Sequence, residues 1–304
     1  MKTTKTIPAP EALLEPWLRQ LRQRGRSLRT IEAYRHAVLL AARFWREECQ
    51  QPNLHKVNSR DLEAWNQRLH ERRLAPITRH FYLLPVVLFY RWCERQGIIF
   101  CNPASDFSLP LVRRHLHAVL SEVEVCRLLE GVDGDTPVDL RDRALLETAY
   151  GAGLRRGELA GLHVRSIDLA EGIVTVTGKG DKDRTVPLPR LALVAIRKYL
   201  EDGRPHFAGL GNDDTALWLR APGGQRLSKA AITLRVKMRA REAGMELTPH
   251  CLRRAFATHL LRHGASPFHL RQMLGHADFK QLRHYLRYTI TDLQVSHQRS
   301  RLAL

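Results

Sequence analysis

The sequence has few features of a secreted or membrane protein. Among its 304 residues are only five cysteines, an odd number with no C-x-x-C pair. That usage argues against a disulfide framework and favours a reducing compartment. No run of about 18 apolar residues occurs, and the first stretch, MKTTKTIPAPEALLEPW, lacks the apolar segment of a secretion signal. We therefore expect no membrane span and a cytoplasmic protein.

Acidic residues are also scarce. A metal-dependent nuclease would need clustered carboxylates, and the sequence shows no such cluster. The chain has 31 Asp and Glu against 49 Lys and Arg, a formal net charge of +18. Both halves are basic, and residues 220–304 are the most basic part, with 16 Lys and Arg against 4 Asp and Glu. A surplus of this size predicts a polyanionic partner, by default nucleic acid, and two basic halves suit a clamp around a DNA duplex. The glycine-rich TGKGDKDR lacks the G-x-x-x-x-G-K-[ST] pattern, so we expect no ATP. We expect no metal or other cofactor either, because Arg, Lys and His side chains can supply the positive charge.

The first hundred residues show the spacing of helices. Ser27 is a candidate N-cap, and apolar residues follow at three- and four-residue intervals: Ile31, Tyr34, Val38, Ala41 and Trp45. SRDLEAWNQRLHERR repeats the pattern, and TRHFYLLPVVLFYRWCERQG is a third helix that Gly97 should stop. Pro85 should kink that third helix or end its first part. These segments predict a helical domain over residues 1–103.

A linker is predicted at 104–117, within CNPASDFSLPLVRRHLH, and a second domain at 118–304. Its first helix should start near Ser121, and residues 140–162 show a helix, a glycine-containing turn and another helix. IVTVTGKGDKDRTVP is typical of a β-hairpin, with VRSID as a third strand, and helices should follow Pro189. The predicted fold is mainly α with a small antiparallel sheet, in two domains.

Four basic motifs lie at the edges of these elements in the second half: GLRRGEL, GKGDKDR, HCLRRAFATHL and LGHADFKQLRHY. Each motif alone is weak, but all four in this order make a specific pattern. The chain resembles the tyrosine site-specific recombinases and phage-type integrases, most closely their Xer-like branch. The resemblance covers nearly the whole chain, and it implies an N-terminal core-binding (SAM-like) helical domain and a C-terminal α+β catalytic domain that clamp DNA.

The resemblance assigns Arg155 and Arg253 to the scissile phosphate. Cleavage of a phosphodiester builds negative charge on the phosphate oxygens, and the planar, permanently charged guanidinium suits that charge. Glu158, three residues after Arg155, is expected on the same helix face in a supporting role, orienting Arg155 or the hairpin lysine.

The remaining catalytic roles also come from the resemblance. Tyr285 is the expected nucleophile, nine residues after His276, which is an additional phosphate donor. His250 lies three residues before Arg253, so both share a helix face, and it would accept the proton of the tyrosine. Lys179 would protonate the leaving 5′ oxygen, with Lys182 on the same hairpin as the second candidate.

Other residues have plainer interpretations. His259 and His263 have a metal-ligand spacing, but no third ligand is evident, so we expect helix surface or DNA contact. Arg156 and Arg254 are expected to be solvated or to contact the DNA backbone. Tyr288 should pack or touch DNA. The five tyrosines in apolar periodic settings, expected in the core, are Tyr34, Tyr82, Tyr90, Tyr150 and Tyr199.

The family implies a reaction through a covalent 3′-phosphotyrosine, with strand exchange through a Holliday junction in a tetramer on two DNA sites. The tetramer would contain this chain alone or together with a related recombinase, on the bacterial nucleoid. Two alternatives stay open at this point: a type IB-like topoisomerase, and a non-catalytic DNA-binding protein of the same fold. Docking of the C-terminal segment in cis or in trans is also open.

Overall fold

The computed structural model describes residues 10–51, 53–112, 119–178, 183–207, 215–220 and 223–275. Lys179, Lys182, His276, Tyr285 and Tyr288 lie outside these ranges. The chain divides into two compact units, 1–116 and 117–304. Within the described ranges, no helix combines the length and the apolar character that a bilayer crossing requires.

The described residues of the first unit contain four long helices, and capping side chains explain where two of them begin. They are α1 (Pro10–Gln23), α2 (Leu28–Glu47), α3 (Ser59–Glu71) and α4 (Pro76–Arg95), with a short 3-10 turn at Leu54–Lys56. The Ser27 side chain accepts the N–H of Thr30, which confirms it as the cap of α2. Asn58 and Asp61 form a reciprocal capping box at the start of α3.

The apolar stripes of these helices meet in a core rich in aromatic rings. Trp45, Trp65 and Tyr90 are each no more than 2% exposed. The indole Nε1 of Trp45 donates to the carbonyl oxygen of Asp61, 2.8 Å away, which fastens α2 to α3. Helix α4 runs unbroken through the buried Pro85, so the expected end of a first segment there is not observed.

The chain beyond α4 continues to pack on this first core. Gly97 has a φ of +64°, which suits the residue that follows a helix end. Ala104 is buried among the core residues, and Phe107 and Leu109 pack against them. The boundary between the two compact units falls between residues 116 and 117. The assignment of 104–117 as a linker stays a prediction.

In the described part of the second unit, helices alternate with one small sheet. Its helices are α5 (Glu122–Glu130), α6 (Pro137–Gly151), α7 (Arg156–Gly161), α8 (Arg190–Lys198), α9 (Lys229–Glu242), α10 (Pro249–Arg262) and α11 (Pro267–Leu274). Helix α8 continues as a π-helical turn at Tyr199–Gly203 and a 3-10 turn at Arg204–His206. Ser121 caps α5 through a reciprocal box with Glu124, so the predicted start of that helix is confirmed. Helix α6 packs against α8, α9 and α10.

The sheet confirms the predicted hairpin, but the third strand, predicted over VRSID, is a strand only at Ile167–Asp168. Val164–Ser166 form a 3-10 turn instead, in which the Ser166 hydroxyl accepts the backbone N–H of His163. Strands β1 (Ile167–Asp168), β2 (Ile173–Thr177) and β3 (Asp183–Pro187) are antiparallel in the order β1-β2-β3. Val174 pairs with Val186 and both are fully buried, while Thr177 pairs with Asp183 at the end of the hairpin next to residues 178–182. Arg184 follows Asp183 in β3, so it lies two residues after Lys182, one of the two lysines predicted at the tip of the hairpin.

Candidate active site

The first turn of α7 contains a buried carboxylate, that of Glu158. Arg155 is the N-cap residue of that helix, with extended backbone, and Glu158 is its third helical residue. Glu158 Oε2 accepts the backbone N–H of Arg155 at 2.7 Å, and Oε1 accepts from Arg155 Nη1 at 2.7 Å. The expected pairing is present, but Arg155 caps the helix rather than lying on its face. The Arg155 side chain keeps 39% exposure, whereas that of Glu158 keeps 6%.

The same carboxylate binds a second arginine, Arg184 of β3. Arg184 Nη1 and Nη2 donate to Glu158 Oε1 and Oε2 at 2.9 and 2.8 Å, a bidentate pair. Burial alone would raise the pKa of Glu158, but the hydrogen bonds from Arg184 and Arg155 outweigh it and lower that pKa to about 2. Glu158 is therefore a firmly ionised anchor and not a proton donor or acceptor near pH 7.

Arg253 reaches the same place from α10. Its Nη1 and Nη2 donate to the carbonyl oxygens of Gly153 and Leu274, both at 2.6 Å, and Nη1 lies 3.7 Å from Glu158 Oε2. Only 2% of the residue is exposed. The two predicted phosphate-binding arginines thus converge on one carboxylate at different depths, with Arg155 accessible and Arg253 buried.

The carboxyl end of α11 is held by all three arginines. The consecutive carbonyl oxygens of Met273, Leu274 and Gly275 accept from Arg184 Nε at 2.8 Å, Arg253 Nη2 at 2.6 Å and Arg155 Nη2 at 3.2 Å. Cations are favoured there because the last carbonyls of a helix are unpaired and carry partial negative charge. Gly275 takes the left-handed conformation that ends the helix. Gly275 is the last described residue, and His276 lies outside the described residues.

His250 lies in the first turn of α10 and is exposed. It precedes Arg253 by one turn of the helix, so the predicted shared face is confirmed. Partial burial lowers the pKa of His250, and the positive charges of Arg254, Arg253 and Arg155 lower it further. Two of these charges, Arg253 and Arg155, belong to the cluster around Glu158. The lowered pKa favours the neutral form of His250, which can accept a proton.

The structure brings together four of the predicted residues: Arg155, Glu158, His250 and Arg253. Lys179, His276 and Tyr285 lie outside the described residues, so their roles stay predictions. Sequence analysis missed the role of Arg184. The residue ends the quoted GKGDKDR motif, two residues after Lys182. Nothing in the pattern gave its partner, Glu158, which is 26 residues away in sequence.

The expectation for His259 is wrong. It is buried on the inner side of α10, where its Nε2 donates to the carbonyl oxygen of Leu120 at 2.8 Å and its Nδ1 lies 3.0 Å from the Tyr150 hydroxyl. His263 is exposed and pairs with Glu122 at 2.9 Å. Arg156 is exposed and donates to Thr233. In the described part of the chain, no three His, Cys, Asp or Glu side chains are grouped as metal ligands would be.

Comparison with known proteins identifies the family. Residues 118–291 match the phage integrase family, and residues 14–97 match the phage integrase N-terminal SAM-like domain. The chain belongs to the phage integrase family. Both predicted domain types are thereby confirmed, and so is the predicted activity of this family, the cutting and rejoining of DNA by a tyrosine recombinase.

Individual relatives agree along nearly the whole length. Tyrosine recombinase XerD of Shewanella oneidensis is 33% identical over 98% of this chain and 97% of that protein. Tyrosine recombinase XerC of Xanthomonas campestris is 35% identical over 91% of this chain and 85% of its own. The crystal structure of the XerH site-specific recombinase bound to a palindromic difH substrate shares the fold, with a TM-score of 0.72 and 21% identity over 93% of this chain and 83% of that one. These relatives favour a recombinase over a topoisomerase or a non-catalytic binding protein.

Proposed function

We propose that this integrase-family protein recombines specific double-stranded DNA sites through a covalent phosphotyrosine, using Arg155, Lys179, His250, Arg253, His276 and Tyr285, with Glu158 in support. The observation that supports it most directly is the convergence on Glu158. One accessible and one buried arginine share that carboxylate, and their charges act on a neutral histidine. An anionic phosphate beside Arg155 would meet concentrated positive charge on a rigid support.

In the proposed reaction, the phenol oxygen of Tyr285 attacks the scissile phosphorus and the bond from phosphorus to the 5′ oxygen breaks. His250 accepts the phenol proton, and Lys179 gives a proton to the leaving 5′ oxygen. One phosphodiester is exchanged for another, so the bond energy is conserved and no ATP is consumed. A 5′-hydroxyl of a partner strand then attacks the phosphotyrosine and releases the enzyme.

We assign the roles of Arg155 and Arg253 according to how deeply each side chain is buried. Arg155, with its exposed side chain, contacts a non-bridging oxygen directly, while Arg253 supplies charge from the buried side. Such charge acts strongly because the surroundings have a low dielectric constant. His276 follows Gly275, the last of the three arginine-bound carbonyl positions, and donates to the same phosphate.

The assembly is part of the same proposal. Two strand exchanges through a Holliday junction need four active sites, so we assign a tetramer on two DNA sites, formed by this chain alone or with a related recombinase. The +18 charge suits binding to the backbone of the duplex. The protein would act in the bacterial cytoplasm, associated with the nucleoid.

Covalent trapping tests the proposal. DNA selected from a random pool for binding to the protein is nicked beside the cleavage point, so that the short fragment diffuses away and the adduct accumulates. A denaturing gel should show a protein–DNA adduct that Tyr285→Phe abolishes and Tyr288→Phe retains, with or without EDTA. An adduct in Tyr285→Phe would overturn the nucleophile, and loss of the adduct in EDTA would overturn the metal-free reaction.

A further inference from the structure

Arg184 is anchored through each of its three side-chain nitrogens. Nη1 and Nη2 bind the two oxygens of Glu158, and Nε binds the Met273 carbonyl oxygen, all between 2.8 and 2.9 Å. Only 13% of the side chain is exposed. A guanidinium held by a fork and a third bond has one available orientation, which a lysine could not reproduce.

These contacts turn Arg184 toward the protein rather than toward a substrate. Arg155, by contrast, binds Glu158 through Nη1 and Gly275 through Nη2 and keeps a larger exposed fraction of 39%. Both arginines meet the same carboxylate, and Arg253 lies 3.7 Å from it. Without Arg184, each Glu158 oxygen would lose one strong donor, and only the two hydrogen bonds from Arg155 would hold the carboxylate.

We propose that Arg184 is a positioning residue for the phosphate-binding group: it fixes the orientation of Glu158, and Glu158 in turn presents Arg155 to the scissile phosphate. The Met273 contact adds a second restraint, because it ties β3 to the same helix end that Arg155 binds. This inference rests on the proposed function, since it assumes that Arg155 contacts the phosphate.

A different effect of Arg184 is conceivable, because β3 begins directly after the lysine-bearing tip of the hairpin. Arg184 could then serve the lysine and not Arg155. The two possibilities concern different bonds. Arg155 stabilises charge on the non-bridging oxygens, whereas the lysine protonates the leaving oxygen. The described contacts of Arg184 run to Glu158 and Met273, so they favour the first.

Two modified substrates separate these effects. A methylphosphonate at the scissile position replaces one non-bridging oxygen with a methyl group, which removes the negative charge and the need for Arg155. A bridging 5′ sulfur makes the leaving group a thiol, with a pKa of about 8.5, which departs without a proton. The first substrate should therefore bypass Arg155, and the second should bypass Lys179.

The experiment measures adduct formation on the three substrates by Arg184→Gln, Arg155→Gln, Lys179→Ala and Arg204→Gln. Arg204 is a matched control, because it is a part-buried arginine of the same unit that donates to the Ala216 carbonyl. Arg184→Gln should slow cleavage of ordinary DNA about 10- to 100-fold, by analogy with the loss of a residue that orients a metal ligand. Binding of uncut DNA should be unchanged. On methylphosphonate, Arg184→Gln and Arg155→Gln should both recover, while Arg204→Gln should match wild type on all substrates.

Each other result overturns the inference. Recovery of Arg184→Gln only on the sulfur substrate would assign the residue to the hairpin lysine. Recovery on neither substrate would make its role purely structural. If Arg155→Gln itself fails to recover on methylphosphonate, the phosphate role of Arg155 in the proposed function is wrong, and the role of Arg184 is withdrawn with it. A combined Glu158→Gln and Arg184→Gln variant should be no slower than the slower single variant, because both changes break one unit.

Discussion

The hydroxyl of Tyr150 lies 3.0 Å from Nδ1 of His259, in contact between helices α6 and α10. The opposite ring nitrogen, Nε2, donates to the carbonyl oxygen of Leu120, which fixes the proton on that side. Nδ1 of the neutral ring therefore accepts from the tyrosine. Burial lowers the pKa of His259, which keeps the ring neutral. The helix that carries His250 and Arg253 is thus tied to α6 and to the residue just before α5.

Tyr150→Phe should destabilise the protein through this contact. The substitution leaves the Nδ1 acceptor of a buried ring without its hydroxyl donor, at a cost of about 1–3 kcal/mol in the free energy of unfolding. Urea unfolding at pH 7 measures it. His263→Gln is the control, because His263 is exposed and its ion pair with Glu122 contributes little. Equal stability of Tyr150→Phe and wild type would contradict the contact.

Gly153→Ala should be more damaging than a glycine substitution elsewhere in the same segment. Gly153 has a φ of +58°, and an added Cβ would lie 2.2 Å from the ring of Phe256, so the backbone or the ring must move. The Gly153 carbonyl also accepts from Arg253, so cleavage should fall together with stability. Gly161→Ala is the matched control, since its Cβ meets nothing within 4 Å.

The two glycine variants are compared by thermal unfolding and by trapping of the covalent adduct. Gly161→Ala should be neutral or slightly stabilising, by about 0.5–1 kcal/mol, because alanine restricts the unfolded chain. Gly153→Ala should lower the melting temperature and the adduct yield. Similar melting temperatures for the two variants would show that the Phe256 contact is not restrictive.

Much of this architecture could be predicted from local sequence. The spacing of Val38, Ala41 and Trp45 predicted a buried helix face, and all three are fully buried. Caps such as Ser27 and the valines of the hairpin are also local signals, because the chain segments that they describe fold against their neighbours in sequence. Each of the four basic motifs is a short continuous stretch, so it can be recognised in the sequence, and the order of the four identified the family.

The contacts that could not be predicted depend on the three-dimensional positions of side-chain polar groups. Arg184 was one charge in a charged run until its bonds to Glu158 and Met273 were observed. His259 and His263 are one helical turn apart, yet one is buried and the other exposed. The periodicity of α10 is that of a helix packed on several neighbours, which obscures which polar residues face inward. Long-range polar contacts of this kind leave no spacing pattern in the sequence.

The pKa of His250 should respond to the charges around it. In the DNA-free protein, partial burial and then the charges of Arg254, Arg253 and Arg155 hold that pKa below its ordinary value of 6.5. Arg254→Gln removes one of these charges and should raise the pKa of His250 toward 6.5. NMR titration of the histidine ring protons measures the change, with Arg262→Gln at the far end of α10 as the control.

The same shift should appear in the reaction. Only neutral His250 accepts the tyrosine proton, so cleavage is lost as the pH falls through the pKa of this residue. In Arg254→Gln, the acid limb of the rate profile should therefore move to higher pH, while the rate at pH 8 stays close to that of wild type. An unmoved limb would show that another group limits the rate in acid.

Glu158→Gln should have a cost that depends on pH. The folded protein lowers the pKa of Glu158 from 4.5 to about 2, so the ionised carboxylate contributes stability that is fully present above pH 4.5 and is lost as the pH falls toward 2. A shift of this size corresponds to about 3 kcal/mol in the free energy of unfolding.

Glutamine carries no charge and turns an amide N–H₂ toward the guanidinium donors of Arg155 and Arg184. Urea unfolding should therefore show a gap of that order between the variant and wild type at pH 7, and the gap should narrow between pH 4.5 and pH 3. Glu242→Gln, at a half-exposed ion pair with Arg239, should show little cost at either pH. A gap that stays constant down to pH 3 would mean that Glu158 stabilises the site through its shape and not through its charge.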